Sequence, residues 1–224
     1  MFASLEDHMR KPIVWFIFVS LSLLSFLIAH RYFSQAFPIV SLDLRMDRKG
    51  ALDRAREIVE IERWGPSEFE QAASFEVDRK VQHFVELEQG GNKAFTRMLS
   101  GGLYSPYQWH VRHFQPDSAH DLLLFFVPSG SWYGMEERIP EEEPGAALDR
   151  ESAVEIAEKK AVSLGIKLED YDRVSDSQKE HSSGRIDHTF IYERPSQDLG
   201  NGRFRLKLIV SGERLTTLKH EVFV

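Results

Sequence analysis

A short internal repeat constrains the fold of this chain more than any other feature. Residues 46–55 reappear as residues 148–157, with an aspartate, an arginine and two alanines identical and the apolar positions matched. β-patterned sequence follows each copy. Two related copies in one chain predict a modular protein, and such modules usually bind or regulate.

Each copy begins with the pattern of a capped helix. Asp47 and Asp149 are predicted N-caps, and the apolar residues behind them recur at the spacing of one helix face. Residues 66–73 suggest a helical turn, residues 93–99 a short helix, and the apolar pattern of residues 81–88 indicates a strand. Further strands are predicted at residues 73–77, 109–114, 122–127, 132–139, 171–178, 186–192, 204–210 and 215–222. The predicted fold class is α+β, with two units that each pack a helix on an antiparallel sheet.

An apolar run near the start predicts a transmembrane helix. Residues 13–29 contain only apolar residues and serine, and Arg10 and Lys11 precede them. This flank favours a single-pass anchor with a cytoplasmic amino terminus and an exported remainder. A cleaved signal peptide is the alternative, since residues 34–36 have the small-x-small form of a cleavage site.

These patterns divide the chain into six predicted segments. They are a cytoplasmic segment (1–11), the anchor (12–30), a connector (31–45), unit 1 (46–140), a linker (141–147) and unit 2 (148–224).

Composition excludes several functions. The chain has 224 residues, a net charge of −7 and no cysteine. Basic and acidic residues are interspersed without a basic block, which argues against nucleic acid as a partner. The lack of cysteine excludes disulfides and thiol catalysis. The glycine pairs at 90–91 and 101–102 lack the Lys-Ser/Thr of a phosphate loop, and no cofactor is expected.

The histidines and glutamates do not predict a catalytic or metal centre. His110 and His113 are three positions apart on a predicted strand, so they point to opposite faces and cannot share one ion. His181, Asp187 and His188 could meet across a hairpin, but hydrogen-bonded or surface histidines are the commoner outcome. The glutamates 141–143 are interpreted as a solvated linker. Whether the chain is part of an enzyme stays open.

An aromatic group is the best candidate for a binding site. Aromatic residues with polar tips at strand ends often line a peptide-binding groove, although core packing is their more common role. The candidates for binding a peptide or a protein partner are Tyr104, Tyr107, Trp109, Arg112, Trp132 and Tyr133.

The order of helix and hairpin resembles the PepSY-like family. Residues 149–161 with the hairpin 205–222 carry the resemblance, and residues 47–59 with 109–139 resemble a second, more divergent copy. The resemblance implies two tandem PepSY-like units in an extracytoplasmic region.

A second resemblance covers most of the exported part. Residues 37–43, 84–88, 104–114 and 187–195 are similar to the region that precedes the membrane domain of some bacterial CAAX-type (CPBP) intramembrane metalloproteases. In that family a Glu-Glu-x-x-x-Arg motif in later transmembrane helices carries catalysis. Residues 136–138, Glu-Glu-Arg, lack the three-residue gap, so no catalytic residue is carried over.

The resemblance implies a function at the membrane. We expect a non-catalytic binding or regulatory module, anchored in the lipid bilayer and linked to membrane proteolysis, with a protease domain or a peptide as its partner. One alternative is the amino-terminal portion of such a protease, whose catalytic helices lie beyond this chain. The other is a structural protein of the cell envelope.

Overall fold

A computed structural model describes residues 12–36, 42–101, 104–195 and 199–224. Two compact units are present, residues 1–42 and Asp43–Val224. The predicted cytoplasmic segment 1–11 and residues 37–41 of the predicted connector lie outside the described residues.

The first unit contains one apolar helix, α1 (Pro12–Ala36). Its 22 residues Pro12–Phe33 have a mean hydropathy of 2.4. At about 1.5 Å per residue, a helix of this length exceeds the roughly 30 Å core of a bilayer. The prediction of a helix long and apolar enough to cross a membrane is therefore confirmed, and the helix continues past its predicted end at residue 30.

Within the residues that the structure describes, the second unit combines four helices with eight strands. The elements in chain order are α2 (Arg48–Glu62), β1 (Glu70–Val77), α3 (Arg79–Glu88), α4 (Asn92–Gly101), β2 (Tyr107–Phe114), β3 (Asp121–Phe126), β4 (Trp132–Arg138), α5 (Arg150–Ser163), β5 (Asp172–Glu180), β6 (Ile186–Glu193), β7 (Arg203–Ser211) and β8 (Arg214–Phe223). A single 3₁₀ turn, Leu168–Asp170, precedes β5.

All eight strands form one antiparallel sheet in the order β1-β2-β3-β4-β8-β7-β6-β5. Each half of the unit is thus a helix followed by four strands in meander order, with α3 and α4 between β1 and β2 in the first half. The last strands of the two meanders pair with each other. The predicted α+β class with antiparallel strands is confirmed, but the two expected sheets are one. Met135 lies opposite Leu218 at this joint, and both side chains are fully buried. Pairing β4 with β8 covers two strand edges that separate sheets would expose.

The close approach at the joint depends on a glycine. A Cβ atom built on Gly134 would lie 2.4 Å from the carbonyl oxygen of Leu218. Any side chain at this position in β4 would push β8 away.

The repeated sequence forms the same local structure twice. The Asp47 side chain accepts a hydrogen bond from the Gly50 amide at 2.7 Å, and Asp149 accepts one from Ser152 at 2.8 Å. Both predicted N-caps are confirmed. The predicted helix faces are buried through the alanines Ala51, Ala55, Ala153 and Ala157, all with 0% exposure. One hydrophobic core contains residues of both helices and of both meanders.

Two local predictions are wrong. Residues 81–88, predicted as a strand, belong to α3, because Val81, Phe84 and Val85 occupy one helix face and Asp78 caps the helix. Residues 66–73 were expected to hold a helical turn, yet β1 begins at Glu70. Exposed and half-buried residues alternate along β1, as expected for a strand.

Candidate functional site

The two faces of the sheet differ in what covers them. Along β2, Val111 and His113 point toward the helices and are fully buried. The intervening His110 and Arg112 point to the opposite face, which we call the open face. Charged side chains there reach solvent, with Arg112 51% exposed and Arg138 70% exposed. The prediction that His110 and His113 face opposite ways is confirmed.

A cavity of about 260 Å³ lies where the end of β1 meets β2, β3, β4 and β8. Carboxylates, histidines, aromatic rings and one lysine share its walls. The lining residues are Glu76, Val77, Asp78, Tyr104, Pro106, Gln108, His110, Leu123, Phe125, Tyr133, Lys219 and His220.

One wall of the cavity combines a carboxylate with an imidazole. Glu76 accepts a hydrogen bond from the Ser74 hydroxyl at 2.6 Å, and its other oxygen lies 3.3 Å from His110 Nδ1. The His110 ring meets the Phe125 ring edge-on at 5.0 Å. Burial lowers the pKa of His110, and the attraction of Glu76 only partly opposes this. His110 therefore favours its neutral form.

A second wall is built around Asp78. Its carboxylate accepts from the Tyr104 hydroxyl at 2.8 Å and from the Val81 amide at 3.1 Å. Burial, reinforced by Asp78, raises the pKa of Tyr104. The neutral phenol therefore donates its hydrogen bond to Asp78. Asp78 is also the N-cap of α3, so this helix cap forms part of the cavity wall.

The third wall joins β4 to β8. The Tyr133 and His220 rings stack with their centroids 4.6 Å apart, and the Tyr133 hydroxyl accepts from the Ser105 amide at 3.1 Å. Burial lowers the pKa of His220 to about 4, with a smaller contribution from Arg194. A neutral imidazole therefore faces the cavity.

Lys219 supplies the cation of the cavity wall. Its Nζ lies 3.0 Å from Glu136 and 3.9 Å from Glu221, so two carboxylates already neutralise it. The same ammonium lies 5.7 Å from the centroid of the Phe125 ring.

Of the six predicted site residues, the structure brings two to the cavity. Tyr104 and Tyr133 line it, with their rings edge-on at 6.4 Å. Tyr107 packs instead between Phe75 and Phe95, with centroids 6.3 and 6.2 Å away.

The other three predicted residues lie apart from the cavity. Trp109 is half-buried on the helix side, where its Nε1 donates to the Met46 carbonyl at 3.2 Å. Trp132 lies 6.3 Å from the Trp64 ring, also against the core. Arg112 is on the open face, where it donates twice to Asp121, at 2.9 and 2.7 Å.

Six polar residues that line the cavity were not predicted as site residues: Glu76, Asp78, Gln108, His110, Lys219 and His220. Alternation along β1 and β2 could predict on which face of its strand Glu76 or His110 lies. The register that brings the two together, with Ser74 opposite His110, depends on long-range pairing that no local pattern contains.

Two histidines outside the cavity, His181 and His188, serve the structure. His181 contacts Asp187 at 2.7 Å, and the buried His188 contacts the Leu148 carbonyl at 2.9 Å. Within the described ranges no group of three or more His, Asp or Glu side chains is placed to hold a metal ion. Glu141, in the predicted solvated linker, pairs with Lys179, and this contact lowers the pKa of the glutamate.

Ser74, Glu76 and His110 lie together beside the cavity, but they are not arranged as a nucleophile and its base. The Ser74 hydroxyl donates to Glu76, and the His110 imidazole lies on the other carboxylate oxygen. A nucleophile needs the base itself within hydrogen-bond reach.

Comparisons with protein-family models, curated proteins and solved structures found no significant match for this chain.

Proposed function

We propose that this protein is a membrane-anchored, extracytoplasmic binding or regulatory module of the tandem PepSY-like kind. It is non-catalytic in itself and is linked to proteolysis at the membrane. α1 is the anchor, and the region Asp43–Val224 holds the partner, which is a peptide or a protease domain.

The cavity on the open face is the observation that carries the binding role. Glu76, His110 and Lys219 reach it from the open face, and its walls combine aromatic rings with polar groups. Concave sites with a few placed polar groups among apolar ones are the usual form of a binding site.

The link to proteolysis rests on sequence resemblance. The segments similar to CPBP proteases include residues 104–114, which contribute Tyr104, Gln108 and His110 to the cavity wall. A module that holds a peptide beside a membrane protease would present substrates to it or restrain it.

Photo-crosslinking tests the binding role. A benzoylphenylalanine placed at Leu123, which lines the cavity, should give adducts in the native host membrane that contain a peptide or a membrane protease. The same group at Ile61, which is 76% exposed on α2, is the matched control. Identical adducts from both positions, or none from Leu123, would contradict the proposal.

Reporter fusions test the orientation. Arg10 and Lys11 place the amino terminus in the cytoplasm by the positive-inside rule. Alkaline phosphatase fused after Val224 should therefore be active and a cytoplasmic reporter inactive. The reverse pattern would place the binding region in the cytoplasm.

The reading frame distinguishes a separate module from part of a protease. A frame that continues past Val224 into apolar spans with a Glu-Glu-x-x-x-Arg motif would make the module one part of an intramembrane protease. An intramembrane glutamate pair facing a bundle interior is expected to be functional.

A further inference from the structure

We propose that the cavity binds the positively charged side chain of a lysine or arginine, carried by an extended peptide that pairs with the outer edge of β1. This inference rests on the proposed binding function and names the chemistry of its ligand.

The charges around the cavity favour a cation. Glu76 and Asp78 line it, and Glu136 and Glu221 both contact Lys219, the single ammonium in the wall. His110 contributes no opposing charge at neutral pH, since burial lowers its pKa, and His220 is neutral for the same reason. Carboxylates are therefore in excess, and Glu76, with 52% of its side chain exposed, can turn toward a ligand.

The walls suit a cation attached to an aliphatic stem. The rings of Tyr104, Phe125 and Tyr133 line the cavity, and aromatic faces attract ammonium and guanidinium groups. Lys219 already uses the Phe125 ring in this way. His220 adds a neutral nitrogen that can accept a hydrogen bond. At about 260 Å³ the cavity is smaller than the roughly 300–1,000 Å³ of sites for drug-sized molecules, and a single side chain suits it better.

The position of the cavity beside a sheet edge indicates a peptide. β1 is the terminal strand of the sheet, and Glu70, Ala72, Ser74 and Glu76 are exposed on its open-face side. A peptide strand added to this edge would place alternate side chains about 5 Å from these residues. A basic residue opposite Glu76 would then stand at the mouth of the cavity.

Binding of three matched peptides tests the inference on the full chain in uncharged maltoside micelles. The probes are fluorescein-labelled hexapeptides with valine at three alternate positions and lysine, glutamine or glutamate at the other three. Fluorescence anisotropy should show the lysine peptide binding at least roughly tenfold more tightly than the glutamine peptide, as expected for a charge-assisted hydrogen bond. The glutamate peptide should bind least.

Two variants locate the site. Glu76→Gln should weaken binding of the lysine peptide roughly tenfold by removing the carboxylate at the cavity mouth. Glu180→Gln removes the same charge from β5, the opposite edge strand, and should leave the affinity unchanged.

The outcomes separate this inference from the proposed function. Equal binding of all three peptides, or preference for the glutamate peptide, overturns the cation inference and leaves a binding module. If Glu76→Gln and Glu180→Gln lose the same affinity for the lysine peptide, the assignment of the binding site to the cavity is overturned. If no peptide binds, the inference fails, while adducts from Leu123 would still support the binding role.

Discussion

Glu137 is a buried carboxylate that contacts groups from both halves of the region Asp43–Val224. Its side chain is fully buried, and one oxygen accepts from the Gly65 amide at 3.0 Å, His120 Nε2 at 2.8 Å and Arg214 at 3.0 Å. Glu137→Gln should lower the free energy of unfolding by about 2 kcal/mol, since the three hydrogen bonds to a carboxylate oxygen become weaker bonds to a neutral amide oxygen. Urea titration measures this loss. Glu213→Gln, an exposed neighbour of Arg214, should stay within about 0.5 kcal/mol of the parent.

His113 should make stability depend on pH. The Gln71 amide lies 2.6 Å from its Nε2, and burial lowers the pKa of His113 to about 4. In the unfolded chain the pKa is about 6.5, so the unfolded state binds the proton first as the pH falls. The stabilisation is complete above pH 6.5 and is lost as the pH falls toward 4, by about 3 kcal/mol in all.

Replacing the histidine tests this dependence. His113→Gln should reduce the slope of unfolding free energy against pH between about 6.5 and 4, because one of the titrating groups is gone, while His110 and His220 contribute in both proteins. The carboxylates are the same in both proteins, so their contribution to the pH dependence cancels in the comparison. His83→Gln, at an exposed position of α3, should leave the slope as it is in the parent. Parallel curves for the parent and His113→Gln would show that His113 does not titrate in this way.

At the scale of elements, the two repeated helices should respond alike to overpacking. Ala55 and Ala157 occupy matching positions and are fully buried against the sheet. Ala55→Leu and Ala157→Leu should each cost about 1–3 kcal/mol, because neither site has room for the added methylenes. Thermal melts would measure both losses. The controls Glu60→Leu and Lys159→Leu add the same side chain at exposed positions of α2 and α5 and should melt near the parent.

The elements were predictable where local chemistry decides them. Both helices of the repeat follow from an aspartate cap and apolar residues at helical spacing, and most strands follow from alternation or an apolar run. α3 differs from the predicted strand because Val81, Val85 and Leu87 fit a period of two in the sequence. The helix instead buries Val81, Phe84 and Val85, which fit the helical period. In the candidate site, Tyr104 and Tyr133 were predictable from their type, whereas the pairing that adds Glu76, His110 and His220 is long-range.

At the scale of the whole molecule, the joined sheet should make the region Asp43–Val224 unfold as one. Met135 and Leu218 meet at the β4–β8 joint, and one core holds residues of both halves. The sequence did not predict this joint, because only two register pairs define it and they lie about eighty positions apart in the chain. Unfolding of either half would expose an edge strand and part of the core of the other half, so neither half should stay folded alone.

The tryptophans allow this cooperativity to be measured without labels. Trp64, Trp109 and Trp132 all lie in the first half, and residues 148–224 contain none. Their fluorescence therefore reports on the first half, while far-UV circular dichroism reports on both. With the fourth tryptophan, Trp15, replaced by Phe, the two signals should give the same urea midpoint, because coincident probes are the mark of one transition. A dichroism change that continues after the fluorescence change is complete would mean that the second half holds its fold alone, and the β4–β8 pair would then connect two independent modules.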